Sequence, residues 1–173
     1  MTMNHTSILE TKRLLLRRFV IDDLDALFEF YSDPDVVKYI PDAPRTHEEA
    51  KEELEWFMNG HPKFPELGLW ATIYKQTGEF IGRCGLLPWT IDGQNEVEVA
   101  FAFSKAYWGQ GLGSEVARAL LQYGFEHLQL SRLICVIEPE NQASIKVATN
   151  IGMIFEKEGS DEKGPFLIYA INK

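Results

Sequence analysis

Cysteine is scarce here. Cys84 and Cys135 are the only two in 173 residues, and each stands alone in strand-like sequence. Two isolated thiols exclude a disulfide framework and point to reduced core thiols in a cytoplasmic protein, with a disulfide or metal pair as the lesser reading. The histidines, His5, His47, His61 and His127, have no metal-ligand spacing, so no metal is expected. Long apolar runs are missing too: none approaches the length that spans a bilayer, which excludes a membrane-spanning helix. Lys12, Arg13, Arg17 and Arg18 interrupt the region where a signal peptide would be apolar. Positive charge is short, 17 Lys and Arg against 26 Asp and Glu, for a net charge of −9. That balance argues against a nucleic-acid partner and mildly favours a cationic substrate such as an amine. Repeats, linkers and low-complexity segments are absent, so one domain over 1–173 is expected, as monomer or homodimer.

The stretch from Glu96 to Glu115 organises the rest. Val97, Val99, Phe101 and Phe103 alternate with Glu96, Glu98, Ala100 and Ala102, the period of a strand. Gly109, Gly111 and Gly113 follow, and from Val116 the apolar spacing is helical through Ala117, Leu120, Leu121, Phe125 and Leu128. Three glycines where a strand hands over to a helix N-terminus expose backbone N–H groups and a positive dipole end, a ready anion site. A P-loop needs Lys then Ser/Thr after the last glycine, whereas Ser114 and Glu115 follow here. A dinucleotide fingerprint needs G-x-G-x-x-G opening the first βαβ unit, whereas the spacing here is G-x-G-x-G far along the chain. The third phosphate reading is the pyrophosphate loop of an acyl-CoA site. The bland alternative is a tight turn without a ligand.

The flanking sequence reads as a mixed α/β chain. Arg13 to Phe19 is a short strand. Asp22 or Asp23 then caps a helix carrying Leu24, Leu27, Phe28 and Tyr31, and Asp33-Pro34 ends it. Val36 to Ile40 is a helical turn. Thr46 and Glu49 form a capping box for a helix to about Asn59, with Ala50, Leu54, Phe57 and Met58 inward and Glu48, Glu52 and Glu55 outward. Leu69 to Lys75 and Glu79 to Trp89 are strands joined at Gln76-Thr77-Gly78, with Gly82 and Gly85 signalling a bulge or close backbone approach. A helix is expected over 113–129, a doubly buried strand over Arg132 to Glu138, and a helix from Asn141 to Asn150. Met153 to Lys157 and Phe166 to Ile171 close the chain as strands, with a polar loop from Gly159 to Gly164.

In this order of elements the chain resembles the GNAT family of N-acetyltransferases, over residues 8 to 172. The specific pieces are Trp108-Gly109-Gln110-Gly111-Leu112-Gly113 and Glu140-Asn141-Gln142-Ala143-Ser144, followed by Asn150-Ile151-Gly152-Met153-Ile154-Phe155. Trp108 stands where the general family has Gln or Arg, and the Trp-Gly-x-Gly form is similar to the RimJ/RimL-like subgroup. The resemblance implies a mainly antiparallel central sheet flanked by helices, with the strands at 96–103 and 132–138 splayed apart. It implies acetyl-CoA as co-substrate, with its pantetheine arm in the gap beside Phe101, Ala102 and Phe103. It places the pyrophosphate on the N–H groups of Gly109 to Ser114, with Asn141 holding the cofactor or capping its own helix. Lys105 and Lys146 stand near enough in sequence to assist the phosphates.

The implied reaction is acetyl transfer to a primary amine, on a small molecule or a peptide N-terminus. It needs a base for the amine, a polarised carbonyl and a proton for the leaving thiolate. Glu98 matches the family's general base, with Glu96 the lesser candidate, and two nearby carboxylates are expected to raise at least one of their pKa values. The tyrosine acid of many family members falls on Ala148, so Ser144 becomes the candidate to protonate or position the thiolate. A hydroxyl inside a helix also bonds back to a carbonyl. Cys84 has no motif suggesting an activating base, and no G-x-S-x-G elbow marks a serine nucleophile. The second reading is a domain that binds acyl-CoA without turnover.

Overall fold

Tight turns set the sheet. Asp92 and Gly93 both take positive φ, 51° and 75°, the geometry of a two-residue hairpin turn. They join β4 (Glu79–Ile91) to β5 (Gln94–Phe103), and Gln76-Thr77-Gly78 joins β3 (Gly68–Tyr74) to β4. The protein is described by a computed structural model over residues 6–173, which leaves His5 outside the described residues. Before β3 lie β1 (Ser7–Glu10) and β2 (Leu14–Arg17), then α1 (Leu24–Ser32), α2 (Pro34–Val37) and α3 (His47–Asn59). After β5 come α4 (Leu112–Gln122), β6 (Arg132–Ile137), α5 (Gln142–Asn150), β7 (Ile154–Asp161) and β8 (Gly164–Asn172).

All eight strands form one sheet in the order β1-β2-β3-β4-β5-β6-β8-β7. Every neighbouring pair is antiparallel except β5 and β6, which are parallel because α4 carries the chain back across the face. The β4–β5 ladder is long, from Gly82↔Phe103 to Ile91↔Gln94. The β5–β6 ladder is a single register pair, Glu98↔Ile134, so the two strands part beyond Glu98. This is the expected mixed, mainly antiparallel α/β sheet with splayed central strands.

Helices cover both faces. Val99 and Phe103 on one face of β5 pack with Leu112, Val116 and Leu120 of α4 and Ala148 of α5. Ala100 and Ala102 on the other face meet the cluster of Phe19, Leu27, Phe30, Tyr31, Leu54 and Phe57 under α1 and α3. Two glycines of β4 allow the backbone to close up: a Cβ at Gly82 would stand 2.1 Å from the Ala102 carbonyl, and one at Gly85 2.0 Å from the Gly68 carbonyl. The ladder between β3 and β4 shifts register between Thr72 and Ile73, opposite Gly82. No described helix is long and apolar enough to cross a membrane.

Several boundaries differ from the sequence reading. The pairing of β1 with β2 was not expected, because four residues give too little periodicity to register. Asp23 is the N-cap residue of α1, but its side chain makes no cap bond to that helix. Its carboxylate takes the Val20 N–H at 2.9 Å and the Arg17 guanidinium at 2.8 Å, and Ile21–Asp23 is a 3-10 turn. The second helical turn opens earlier, with Pro34 in its first turn and Asp33 accepting the Asp35 N–H, and ends at Val37. The helix expected to 129 is α-helical only to Gln122, then widens into a π-turn over Tyr123–His127. Gly124 sits in that turn, where a Cβ would come 2.8 Å from Leu133 Cδ1. The expected polar loop 159–164 is mostly strand, because β7 and β8 pair to Asp161↔Gly164.

Candidate active site

Beyond β5 the chain makes a short 3-10 turn, Lys105–Tyr107, and enters the glycine loop. The Trp108 indole N–H donates to the Phe103 carbonyl at 2.8 Å, tying the loop to the end of β5. Gly109 and Gly111 take φ of 72° and 78°, the left-handed region that glycine enters without a Cβ penalty. Gly111 is the N-cap of α4 and offers no side chain, so the first-turn N–H groups of Leu112, Gly113 and Ser114 have no side-chain cap. The Leu112 side chain is buried in the core, which holds this turn in place. Gly113 has a different reason: its φ is not positive, and a Cβ there would press Val147 of α5 at 3.1 Å. Its small size serves helix packing.

One residue of this loop's support escaped the sequence reading. Arg13, just before β2, donates from Nη1 to the Gln110 carbonyl at 2.9 Å and from Nε to Glu115 at 2.7 Å. Glu115 also accepts the Arg13 backbone N–H at 2.9 Å and the Thr11 hydroxyl at 2.6 Å. Burial alone would raise the Glu115 carboxyl, but those hydrogen bonds outweigh it and hold the carboxyl below its ordinary range. Nothing local in Arg13 to Phe19 signals the contact, because its partner lies 102 positions on. Gln110 itself is exposed and donates its amide to the Ala106 carbonyl at 3.2 Å. Lys105, a candidate phosphate ligand, is instead paired with Asp35.

Glu98 lies where β5 and β6 part. It is 9% exposed, and it shares its face with Ala100 and Ala102. Burial pushes its carboxyl up to about 8; the Val136 backbone N–H pulls down, Glu138 pushes up, and Arg83 and Trp89 pull down. Glu96 plays no part in that shift, contrary to the expectation of two coupled carboxylates. Its carboxylate is held by Arg132 at 3.0 Å, and Arg132 also grips Glu156 at 2.6 Å. Glu96 is an ion-pair residue that ties the start of β5 to β6 and β7. Past Glu98 the Phe101, Ala102 and Phe103 backbone has no ladder partner in β6.

Across the gap, Asn141 caps α5: its side-chain oxygen accepts the Ser144 N–H at 3.2 Å. That use accounts for the residue by local geometry. Ser144 is half-buried in the first turn of α5, and its hydroxyl has no hydrogen-bond partner among the described residues. The alternative use of the hydroxyl, a back-bond to a helix carbonyl, is not made among the described residues. Ala148 is fully buried under α4 and α5. Cys84 and Cys135 are free and buried. Burial pushes the Cys84 thiol up to about 12 and raises Cys135 as well, so neither is a thiolate at neutral pH.

A concavity of about 420 Å³ lined by Gln94, Glu96, Leu130 and Arg132 opens where β5 and β6 begin. It lies at the opposite ends of the strands from the glycine loop. Ligands of crossover sheets gather beyond the carboxyl ends of the strands. The glycine loop, the parted strands and Glu98 agree with that rule, and the concavity does not.

A profile of the acetyltransferase (GNAT) domain matches residues 13–154. YkkB of Bacillus subtilis (strain 168) is 34% identical over 168 residues, covering 96% of each chain. An uncharacterized N-acetyltransferase of Bacillus licheniformis, p20, is 35% identical over 152 residues, 87% of this chain and 83% of its own. The crystal structure of a GNAT-family acetyltransferase from Bacillus anthracis superposes with a TM-score of 0.78 at 29% identity, covering 95% of this chain and 97% of that one. The chain belongs to the GNAT family and is an acetyltransferase.

Proposed function

We propose that the chain, acting as one domain, transfers an acetyl group from acetyl-CoA to a primary amine by direct attack, with Glu98 as general base. The observation that carries this reading is the buried Glu98 carboxyl at the point where β5 leaves β6, on the strand that runs on to the uncapped N-terminus of α4. On an acidic chain the cofactor needs local donors, and the N–H groups of Gly109 to Ser114 supply them for the pyrophosphate. The unpaired edge of β5 at Phe101, Ala102 and Phe103 offers backbone partners to the amides of a pantetheine arm.

Glu98 takes a proton from the incoming ammonium, directly or through water, and the amine nitrogen attacks the thioester carbonyl. The carbon–sulfur bond breaks, the nitrogen sheds its second proton as the amide forms, and that proton ends on the leaving sulfur. The Ser144 hydroxyl, without a hydrogen-bond partner among the described residues, is the group to relay or position that proton. A base must be unprotonated to act, so with the carboxyl pushed up to about 8 only its ionised minority works near neutral pH, and that minority takes the amine's proton strongly. The Trp-Gly-x-Gly loop and the Asn141-to-Ser144 turn support a RimJ/RimL-like enzyme. The exposed Glu48, Glu52 and Glu55 of α3 favour a cationic acceptor.

The test is release of free thiol from acetyl-CoA with a panel of amines: a Ser- or Met-starting peptide, spermidine and an aminoglycoside. Amine-dependent release that Glu98→Gln suppresses is expected. Absence of release with every amine, alongside binding of acetyl-CoA, overturns the catalytic reading.

A further inference from the structure

The glycine loop has a basic neighbour. The β2–β3 ladder begins at Leu14↔Tyr74, so Arg13 and Lys75 stand side by side just beyond it, with the Lys75 N–H donating to the Arg13 carbonyl at 2.9 Å. β3 and β5 run in the same direction, since both are antiparallel to β4. Tyr74 and Lys75 therefore lie at the same end of the sheet as Phe103 and the loop that follows it.

A concavity of about 280 Å³ opens there, lined by Lys12, Arg13, Tyr74, Lys75 and Gln76. Solvent reaches it: Lys12 and Lys75 are exposed, and the Arg13 side chain is half-buried. Arg13 links it to the loop, with Nη2 3.7 Å from where a Cβ on Gly111 would stand. Three of the 17 Lys and Arg of this acidic chain thus line one hollow. Two have internal partners. Arg13 is held by Glu115 and the Gln110 carbonyl, and Lys75 by Glu10 at 2.9 Å and the Thr11 carbonyl at 2.6 Å. Neither is used up, because a guanidinium offers five N–H groups and an ammonium three. Arg13 spends one each from Nε, Nη1 and Nη2, and Lys75 spends two. Lys12 forms no ion pair among the described residues. The hollow keeps one uncompensated positive charge and spare donors on three side chains.

We propose that this hollow receives the 3′-phosphate of the CoA nucleotide, on Lys12, Lys75 and the spare N–H groups of Arg13. The donor set selects a phosphate monoester. Such a group carries close to two negative charges on three terminal oxygens and takes donors from several directions. A carboxylate has too little charge and too few acceptors to engage all three cations. The pyrophosphate and the 3′-phosphate hang from one ribose, so their sites should adjoin, and Arg13 stands between the hollow and Gly111. This inference rests on the reading of the glycine loop as the pyrophosphate site.

The experiment measures binding by calorimetry for CoA and for dephospho-CoA, which lacks only the 3′-phosphate. A second pair, adenosine 3′,5′-bisphosphate and adenosine 5′-monophosphate, repeats the comparison without the pantetheine arm. The wild type is expected to bind CoA about tenfold more tightly than dephospho-CoA, the scale of a charge-assisted hydrogen bond. The ratio should fall as salt rises, because the cations are open to water. Lys12→Met and Lys75→Met should each shrink it severalfold, by weakening CoA and leaving dephospho-CoA unchanged. Lys146→Met should not, since Lys146 lies on α5, which meets the loop at Gly113 through Val147. Equal binding of the two forms, a ratio that survives both hollow variants, or one that collapses in Lys146→Met overturns the site. If the bisphosphate is preferred through Lys12 and Lys75 while Gly111→Val leaves CoA binding untouched, the hollow stands and the pyrophosphate reading falls. CoA binding lost in Gly111→Val, with no preference for the 3′-phosphate in the wild type, does the reverse.

Discussion

Arg13 and Glu115 meet at 2.7 Å across 102 positions of sequence, and together they pin the glycine loop to the first strand pair. Glu115 puts a negative charge in the first turn of α4, beside the place where an anion is expected. Arg13 neutralises that charge and also holds the Gln110 carbonyl. Arg13→Met should therefore raise the KM for acetyl-CoA by about tenfold, the scale of lost charge-assisted hydrogen bonds. Steady-state kinetics with kcat within a few-fold of wild type would match; an unchanged KM would show that the loop stands alone. Arg13→Lys should recover little, because a single ammonium cannot serve both partners.

Glu98→Gln should lower kcat/KM by about 10²-fold near neutral pH, the range of a lost general base. Wild-type kcat/KM should rise with pH through a limb near the carboxyl's value of about 8. The deficit of the variant should narrow at high pH, where the amine sheds its proton unaided. A pH profile with no such limb, or a variant as active as wild type, assigns Glu98 to structure.

The same carboxyl carries a stability signature. Its ordinary value is 4.5 and its folded value about 8, so between those pH values the folded state holds a proton that the unfolded state has lost. Stability therefore falls as pH rises through that window and levels off above it. Glu98→Gln removes this slope. Its melting temperature should gain on wild type from pH 5 to pH 8.5, and thermal melts at both pH values decide it. A constant difference would mean that the carboxyl ionises normally in the fold.

Gly111→Val forces a β-branched residue to a φ of 78° at the N-cap of α4. The strain is about 1–3 kcal/mol, enough to turn the loop out of its conformation while the rest of the sheet stays folded. Acetyl-CoA at 100 times its dissociation constant should stabilise the wild type by about 2.7 kcal/mol. The variant should show no such thermal shift. A shift equal to wild type places the cofactor elsewhere.

The outward face of α3, with Glu48, Glu52 and Glu55, should act at a distance. For a cationic acceptor, kcat/KM should fall when salt rises from about 0.01 to about 0.15 M, as the Debye length shortens from about 30 to about 8 Å. Rates indifferent to salt, or a preference for an anionic acceptor, would remove the electrostatic argument.

The central strand and the glycine loop were legible because both rest on local signals: alternation from Val97 to Phe103, and glycines where φ must be positive at 109 and 111. The capping box of α3 was legible for the same reason, since Thr46 and Glu49 lie within one turn. What failed was long-range. Glu96 reads like Glu98 in sequence, but Arg132, 36 positions on, makes one an ion pair and leaves the other buried without one. Gly113 reads like its neighbours, but its reason is Val147.

The lone register pair of Glu98 with Ile134 has a mechanical consequence. The sheet is two leaves, β1 to β5 and β6 with β8 and β7, hinged at one point and braced by helix packing and the Arg132 ion pairs. A slender ligand with amides of its own, laid along the open edge, becomes a strut between the leaves. Hydrogen exchange along β5 and β6 would then slow on loading and quicken on release. Stiffness in this enzyme would be a property of the loaded complex, delivered by the reactant and withdrawn with the product.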